Sequence, residues 1–358
     1  KLMAIIDKPS DFFNTVLYTG NGGSSNAITG VGFQPDFTWI KNRTNAQRHV
    51  WTDAVRGTNY QLASDSPNEQ TNYTNSLTAF GSDGFTVGTD NGTNMTNQTL
   101  VAWNWKANGQ GSSNTDGSIN TIYTSVNTTS KFSISRYTGT GSNATVGHGL
   151  GVVPTMFFIK RITGGGSGQP WTVYTSSVGN ESRLILNSTS STEGGGSFFN
   201  NTSPTSSVFT IGTSSTVNTS GDDYICYAYA DVQSYSKMSS YIGNGSSSGD
   251  GSFIFTGFKP SFLMVKRSNG AKDWHIFDTA RSTSNVVKSQ LEPNTSNAET
   301  TSSNWVDMLS NGFKWRIASG DGQYADVNGG GDTYIYMAFA ENPFVTSTDN
   351  GSIPTTAR

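Results

Sequence analysis

The chain has 358 residues, of which 41 are Gly, 12% are aromatic and 13% are charged, and its formal net charge is −3. This mild acidity, with no block of basic residues, argues against a nucleic-acid partner, because phosphate binding needs clustered Lys and Arg. The aromatic content argues against disorder. No apolar run reaches the roughly 18 residues of a membrane-spanning helix, so membrane insertion is not expected.

Taken in chain order, residues 1–13 form an N-terminal arm, and the pattern Tyr-x-Gly-x-Gly then begins at Tyr18, Tyr137 and Tyr241. After each copy, Gly-x-x-Pro leads into a mostly apolar run that ends in Lys. An aromatic run, a Phe-centred strand and a hydrophobic closing strand follow in the same order. Landmarks repeated in a fixed order predict one module copied three times.

The spacing of these landmarks sets the boundaries of the predicted modules. The first, second and third units are residues 14–107, 132–232 and 233–344, with a Gly/Ser/Asn-rich linker at 108–131 and a C-terminal tail at 345–358. Short strands separated by Gly, Asn and Ser, with no helical period, predict an all-β protein of three tandem β-sandwich repeats. Each repeat, of about 100 residues, is expected to bury its own core.

The closing strand of each unit predicts one large and one small face. In the second unit Ile225, Tyr227 and Tyr229 alternate with small residues, and the other two units show the same alternation. Side chains alternate between the two faces of a strand. We expect the large face to fill the core and the small face to allow close packing by a loop or another unit.

The strand after each Gly-x-x-Pro is apolar at consecutive positions, which predicts burial on both of its faces. Pro35, Pro154 and Pro260 are expected at the beginning of these strands, where a missing N–H group costs nothing.

Few residues suggest catalysis or metal binding. The three histidines, His49, His148 and His275, lack the spacing of a zinc site, so we interpret them as strand or loop residues. Cys226 lies on an alternating apolar strand and is expected to be a buried small residue. No catalytic residue, metal ligand or cofactor is predicted.

Two Asp-x-x-Arg pairs recur in the first and third units, Asp53 with Arg56 and Asp278 with Arg281. A spacing of three allows a local ion pair in a short turn. The alternative is a contact with a sugar or a protein partner that two of the three units make.

Trp305 and Trp315 have no counterparts in the other two units. An aromatic residue that the repeat does not require is a candidate receptor contact, because exposed apolar side chains often mark binding surfaces. Both tryptophans are therefore candidates, together with the two Asp–Arg pairs.

Several stretches carry a more specific signal: "LYTGNG", "SNTDGSI", "YIYMAFAENPF" and "IPTTAR". They resemble a repeat found in structural proteins of marine bacteriophages of the cyanophage type, which are described as tail-fibre-like or uncharacterised. The resemblance extends over nearly the whole chain. It implies a virion context and jelly-roll or lectin-like β-sandwiches, and it implies no reaction.

The sequence therefore predicts a non-enzymatic virion structural protein on the extracellular-facing surface of the particle. As a tail-fibre or surface-appendage component it would contact host-surface polysaccharide or another receptor, since repeated units suit many weak contacts. One alternative is a purely architectural decoration or filament subunit that binds other virion proteins and copies of itself through its arms; analogy with fibres suggests a homotrimer. Another is a polysaccharide depolymerase with a carboxylate pair that no spacing identifies.

Overall fold

The computed structural model describes residues 5–166 and 168–344, and 40% of the chain lies in strands against 3% in helices. Within this described part the strands form three large and three small antiparallel sheets. The predicted all-β class is confirmed. None of the helices found in these residues is long and apolar enough to cross a membrane.

The first unit forms one large and one small sheet, with strand orders β1-β9-β3-β4-β5-β6 and β2-β8-β7. A single helical turn, α1, spans Asn91–Asn94. The strands are β1 (Phe13–Thr19), β2 (Asn26–Thr29), β3 (Phe37–Asn42), β4 (Val50–Asp53), β5 (Tyr60–Ala63), β6 (Thr71–Asn72), β7 (Leu77–Gly81), β8 (Gly84–Val87) and β9 (Thr99–Trp105).

The second unit follows the same plan, with orders β10-β11-β18-β13-β14-β15-β16 and β12-β17. Its strands are β10 (Tyr123–Asn127), β11 (Phe132–Thr138), β12 (Ala144–Gly147), β13 (Met156–Arg161), β14 (Thr172–Thr175), β15 (Ser182–Ile185), β16 (Glu193–Gly194), β17 (Val208–Ile211) and β18 (Asp223–Tyr229).

The third unit has the orders β19-β25-β21-β22 and β20-β24-β23. Its strands are β19 (Ser236–Ile242), β20 (Phe253–Phe255), β21 (Phe258–Arg267), β22 (Trp274–Asp278), β23 (Val306–Leu309), β24 (Gly312–Trp315) and β25 (Thr333–Pro343). Short 3-10 helices span Pro9–Asp11 and Tyr324–Asp326.

Within each of the three large sheets, the strands pair in the same register. The closing strands β9, β18 and β25 each lie between the first strand of their unit and the strand that follows Gly-x-x-Pro. Equivalent residues stand opposite each other: Trp105 with Phe37, Tyr229 with Met156, and Phe339 with Phe262. This register defines which residues of the three units correspond.

The two faces of the closing strands serve different cores. Their large side chains, such as Trp103, Tyr227 and Met337, belong to one cluster that draws residues from all three units. Their small face, represented by Ala228 and Ala338, packs in a cluster confined to its own unit, between the large and the small sheet. The predicted alternation is confirmed, while the shared core was not expected.

The strands after Gly-x-x-Pro are buried as predicted. Every residue of β3 and β13 is buried, as are most residues of β21. Pro35 and Pro154 precede their strands, whereas Pro260 lies within β21 at a shift in its pairing register. Such a bulge tolerates a proline because the ladder is already interrupted there.

The Tyr-x-Gly-x-Gly pattern docks each first strand onto a loop of its own unit. The Tyr137 hydroxyl donates to the carbonyl of Val217 at 2.8 Å, and Tyr18 and Tyr241 make the equivalent bonds. A Cβ on Gly139 would overlap the carbonyl oxygen of Thr219. The first glycine of the pattern is therefore required by close approach.

The second glycine and a buried asparagine complete this loop. Gly141 has a φ of +75°, in the left-handed region where glycine is favoured. Asn218 is fully buried; it accepts from the N–H of Thr140 at 2.7 Å and donates to the carbonyl of Gly212 at 2.8 Å. Asn94 and Asn328 hold the corresponding loops of the first and third units. The repeated pentapeptide is therefore explained by its contact with an asparagine loop that lies far along the chain.

The residues predicted as a linker are folded against the second unit. Within 108–131, β10 pairs with β11, and Ile119 forms a parallel bridge with Val146 at the edge of β12. The N-terminal arm also packs inward: Ile6 joins the shared core, and the Phe13 ring stacks on Phe339 at 4.9 Å. The predicted C-terminal tail, 345–358, and residues 1–4 lie outside the described residues.

The close approach at Gly139 gives a first prediction. Gly139→Ala should destabilise the fold by about 1–3 kcal/mol, because the new methyl group forces the loop away from Tyr137. Gly320→Ala is the control, since a Cβ at that exposed position meets no described atom within 4 Å. Urea unfolding of both variants measures the difference; equal stabilities would contradict the proposed steric requirement.

Candidate functional site

The structure places both predicted receptor-contact tryptophans in the interior. Trp305 and Trp315 are 0% exposed and belong to the core of the third unit. The Trp305 ring packs 5.3 Å from that of Phe277. Neither side chain can reach an external ligand here, so the structure corrects the surface role to one of filling space between β22 and the small sheet.

The two Asp–Arg pairs are also buried, and they lie between units. Asp53 and Arg56 have fully buried side chains 2.6 Å apart, and the hydroxyl of Tyr227 in the second unit donates to Asp53 at 2.7 Å. Asp278 and Arg281 repeat this pairing in the third unit. The predicted local ion pair is therefore present in both units, and its burial leaves no surface for the alternative, a contact with a sugar or an external partner.

Wherever an Asp–Arg pair occurs, another unit supplies a hydrogen-bond donor to its aspartate. Asp278 accepts from the indole N–H of Trp103 in the first unit at 3.0 Å. By the strand register, Trp103 corresponds to Tyr227 and to Met337. Methionine cannot donate a hydrogen bond. The second unit carries Thr175 at the position that corresponds to Asp53 and Asp278. The second unit thus lacks the Asp–Arg pair, and the third unit lacks a hydrogen-bond donor at the position that corresponds to Tyr227 and Trp103.

The lysine that ends each apolar strand makes a second set of contacts between units. Lys160 donates to the carbonyl of Pro67 in the first unit at 2.6 Å, Lys41 to that of Ser296 in the third at 3.0 Å, and Lys266 to that of Thr189 in the second at 3.1 Å. These bonds link the units in a closed cycle. Burial lowers the pKa of Lys41, Lys160 and Lys266 to about 8, 7 and 8.

A further ionic contact joins the first and third units. Glu299 forms a paired hydrogen bond with Arg43 at 2.7 and 2.9 Å and also accepts from Arg281 at 2.9 Å. Although burial opposes ionisation of Glu299, its two arginine partners hold the carboxyl pKa below its usual value. The carboxylates of Asp53, Asp278 and Glu299 are thus buried and each forms an ion pair with arginine.

Cys226 is buried as predicted, and the histidines lie in a strand or in loops as predicted, with all three of them buried. His49 Nδ1 accepts from the indole of Trp39 at 3.0 Å, and burial lowers the His49 pKa well below its usual value. His275 lies 2.7 Å from the amide of Gln290. Cys226 is buried, which raises its thiol pKa. Across the described residues, His, Cys, Asp and Glu form no group of three that could hold a metal ion.

An open polar cleft lies in the first unit, beside its junction with the second. This first-unit cleft has a volume of about 230 Å³. Its rim is rigidly held, because Lys160 binds the carbonyl of Pro67 and Arg161 contacts Glu69 at 2.9 Å. Its walls combine a guanidinium, amides, hydroxyls and a carboxylate, from Arg48, Gln61, Leu62, Ala63, Ser66, Asn68, Glu69 and Thr71.

Gln61 is the unusual residue of the first-unit cleft. Its side chain is 5% exposed, and no hydrogen-bond partner of its Oε1 is found among the described residues. Leaving a buried polar atom unpaired costs about 1–3 kcal/mol. Arg48 lies next to it, held by Asp90 at 2.8 Å and positioned 5.1 Å from the centre of the exposed Tyr73 ring.

In the other two units, the side chains at the position equivalent to Gln61 have hydrogen-bond partners. The register aligns Gln61 with Arg183, which bonds Thr172 at 3.0 Å and lies over the Phe198 ring at 4.1 Å. In the third unit Gln290 bonds His275 and, at 2.6 Å, accepts from Thr300. The first-unit cleft thus lies at a register position whose side chain is paired in the other two units. Sequence reasoning missed it because Gln61 belongs to no motif.

These observations define an all-β protein of paired large and small sheets with buried junctions and one polar cleft of interest. The chain belongs to the family described as Domain of unknown function (DUF7483), whose model matches residues 8–343. A comparison with curated proteins finds no match.

The Asp53 junction gives a second prediction. Tyr227→Phe removes the hydroxyl that donates to the buried carboxylate and should destabilise the protein by about 1.5–3 kcal/mol, as for a hydrogen bond to a charged group. Tyr229→Phe is the matched control on the same face of β18, because no bond of the Tyr229 hydroxyl is identified among the described residues. Equal losses in urea unfolding would contradict the junction's role.

The buried lysines give a third prediction, about pH. Because burial holds their pKa at about 7 to 8, below the ordinary 10.5, the unfolded chain binds more protons than the folded chain between these values. The free energy of unfolding should therefore rise from about pH 7 to about pH 9. Tyr227 stays protonated in this range, since burial raises its pKa well above 10.

Urea unfolding at constant ionic strength measures this slope. Lys160→Met removes the lowest of the three lysine pKa values and should make the rise with pH smaller. Lys288→Met, at an exposed position, should leave it unchanged. A free energy of unfolding that stays level or falls between these pH values in the wild type would show that the lysines remain charged when buried.

Proposed function

We propose that this chain is a non-enzymatic structural protein of a virus particle, a tail-fibre or surface-appendage component that contacts host-surface glycans through the first-unit cleft. The observation that carries the proposal is the buried Gln61, whose Oε1 is unpaired within the described structure. We also propose that the three units are copies of one β-sandwich module, each contributing a large sheet to the shared core.

The chemistry of the cleft supports a sugar more than an ion or an apolar ligand. Asn68 and Thr71, from the loop after β5 and from β6, and Arg48, from the loop before β4, offer donors and acceptors to the cleft. Tyr73, 39% exposed, lies outside the lining of the cleft and carries the Arg48 guanidinium over its ring. The volume is below the roughly 300–1,000 Å³ of sites for drug-sized ligands, which suits a single ring of a longer polymer.

The rigid surroundings of the cleft support binding rather than turnover. Its loop is tied to the second unit at Pro67 and Glu69, so the polar groups are preorganised and bind with little loss of conformational freedom. The Glu69 carboxylate is held by Arg161 and by the N–H of Gly165 at 3.3 Å. A carboxylate fixed in this way positions a neighbour, and no second carboxylate lines the cleft within the described structure.

Gln61→Leu tests the proposal. Leucine keeps the volume of the side chain but removes its amide, so binding to host-surface polysaccharide should weaken by about threefold to tenfold for each lost hydrogen bond. The free energy of unfolding should stay the same or increase, because an unpaired buried oxygen is removed. Binding is measured on a glycan array and by adsorption to host cells.

Gln290→Leu is the matched control at the equivalent position of the third unit. Its amide is fully bonded, so this variant should lose stability and keep its glycan binding. A wild-type protein that binds neither the array nor host cells would overturn the proposal, as would a Gln61→Leu protein with unchanged affinity. Shortening of the polysaccharide on incubation would favour a depolymerase instead.

A further inference from the structure

The two charged side chains that line the first-unit cleft each have a counter-charge within the protein. Arg48 donates to Asp90 Oδ1 at 2.8 Å, and the Asp90 side chain is almost fully buried. Glu69 lies 2.9 Å from Arg161, and its other carboxylate oxygen accepts the N–H of Gly165 at 3.3 Å. The charges of the lining are therefore neutralised before any ligand enters.

The charged groups behind this lining leave no positive excess. Arg161 also contacts Asp222 at 3.3 Å. Lys160 donates to the carbonyls of Pro67 and Gln169 at 2.6 Å each, and burial lowers its pKa to about 7. Together with the two pairs of the lining, three carboxylates thus stand beside two arginines and one lysine that is only partly protonated near pH 7. The net charge of these six side chains lies between zero and minus one.

A further carboxylate next to the cleft is balanced in the same way. Asp65 accepts the N–H of His49 at 3.1 Å. Burial raises the pKa of Asp65, and the charges of Lys41 and Arg48 act against this rise, so both cations lie within electrostatic reach. The Asp65 carboxylate and the Lys41 ammonium offset each other, so the charge balance near the cleft is unchanged.

An ionic ligand would bind poorly to a cleft with this charge balance. A carboxylate or sulfate group would lose its hydration and meet the Glu69 carboxylate, while Arg48 is already paired with Asp90. A cationic group would compete with Arg161 for Glu69. Bringing a charge out of water costs much more free energy than burying a hydrogen-bonded hydroxyl group. An uncharged ligand avoids this cost.

The buried side of the cleft requires a hydrogen-bond donor from the ligand. The Oε1 atom of Gln61 can only accept, and it has no partner among the described residues. Ser66, Asn68 and Thr71 carry hydroxyl or amide groups that both donate and accept. A sugar ring presents a matching set, because each of its hydroxyl groups can donate to one neighbour and accept from another.

We propose that the first-unit cleft binds one ring of an uncharged sugar polymer, with a hydroxyl or amide N–H of the ring donating to Gln61 Oε1. The inference rests on the proposed function and adds the class of glycan to it. Neutral hexose polymers and N-acetylated polymers share this chemistry. Polymers of uronic acids and sulfated polymers are excluded, since each ring adds a negative charge next to Glu69.

Binding of the full chain to a glycan array that holds all four classes tests the inference. The strongest binders should be neutral or N-acetylated, with an affinity about tenfold or more above that for uronate and sulfated glycans. This affinity should change less than about twofold between about 0.05 and 0.5 M NaCl, because salt screens only interactions between charges. Gln61→Leu should weaken it, and the array itself distinguishes the two uncharged classes.

Glu69→Gln tests the exclusion of anions directly. Removing the carboxylate should raise the affinity for a polyuronate about fivefold, the factor for a like charge about 4 Å away in water. Glu193→Gln is the matched control, because it removes a carboxylate that lies 3.0 Å from Arg183 in the second unit, and it should leave the polyuronate affinity unchanged. An equal polyuronate affinity in the wild type and in the Glu69→Gln protein would contradict the role of this charge.

The remaining outcomes separate this inference from the proposed function. Uronate or sulfated glycans that bind as tightly as uncharged ones, and that Gln61→Leu weakens, overturn the inference and leave glycan binding by the cleft standing. An affinity that falls steeply with salt does the same. A chain that binds none of the four classes overturns the proposed function and this inference together, as does glycan binding that Gln61→Leu leaves unchanged.

Discussion

The closing strand of each unit has two faces that need different partners, and the remaining structure depends on both being buried. The small face is covered by the unit's own small sheet. The large face, with Trp103 and Trp105 in the first unit, is covered by the corresponding faces of the other two units, together with Ile6 and Phe13 of the N-terminal arm. Each large side chain gains about 1.5–3 kcal/mol on burial. A unit taken alone would lose this contribution, so the three units stabilise one another.

A core shared by three similar faces does not by itself fix the order of the three units around it. The buried polar junctions between the units restrict that order. Breaking a buried ion pair costs about 3–5 kcal/mol, because an uncompensated charge remains. Asp53 therefore needs the hydroxyl of Tyr227, and Asp278 needs the indole of Trp103. Met337 could satisfy neither carboxylate, which is consistent with the pair's replacement by Thr175 and Val178. We infer that these junctions favour one cyclic arrangement of units over others that bury the same apolar area.

The sequence predicts the local features of this protein better than its assembly. Alternation along the closing strands identified both faces, and the consecutive apolar runs identified strands buried on both sides, because these signals depend on single strands. The shared core could not be derived, since the large face of Tyr227 looks the same whether its partner is a loop or another unit. Trp305 and Trp315 were misjudged for a related reason. A residue without counterparts can fill a space that only its own unit has.

The same reasoning indicates where a function can be sought in a chain whose three units share a strand register. Positions that agree in all three units, such as Asn94, Asn218 and Asn328, hold equivalent loops of the fold. Positions that differ between the units fall into two groups. Some accompany a difference in another unit, as Thr175 accompanies Met337, and the others have no explanation inside the fold. Gln61 is of this second kind: Arg183 and Gln290 show that the fold can pair this position. An unpaired buried amide costs free energy in isolation, so it points to a partner that compensates for it.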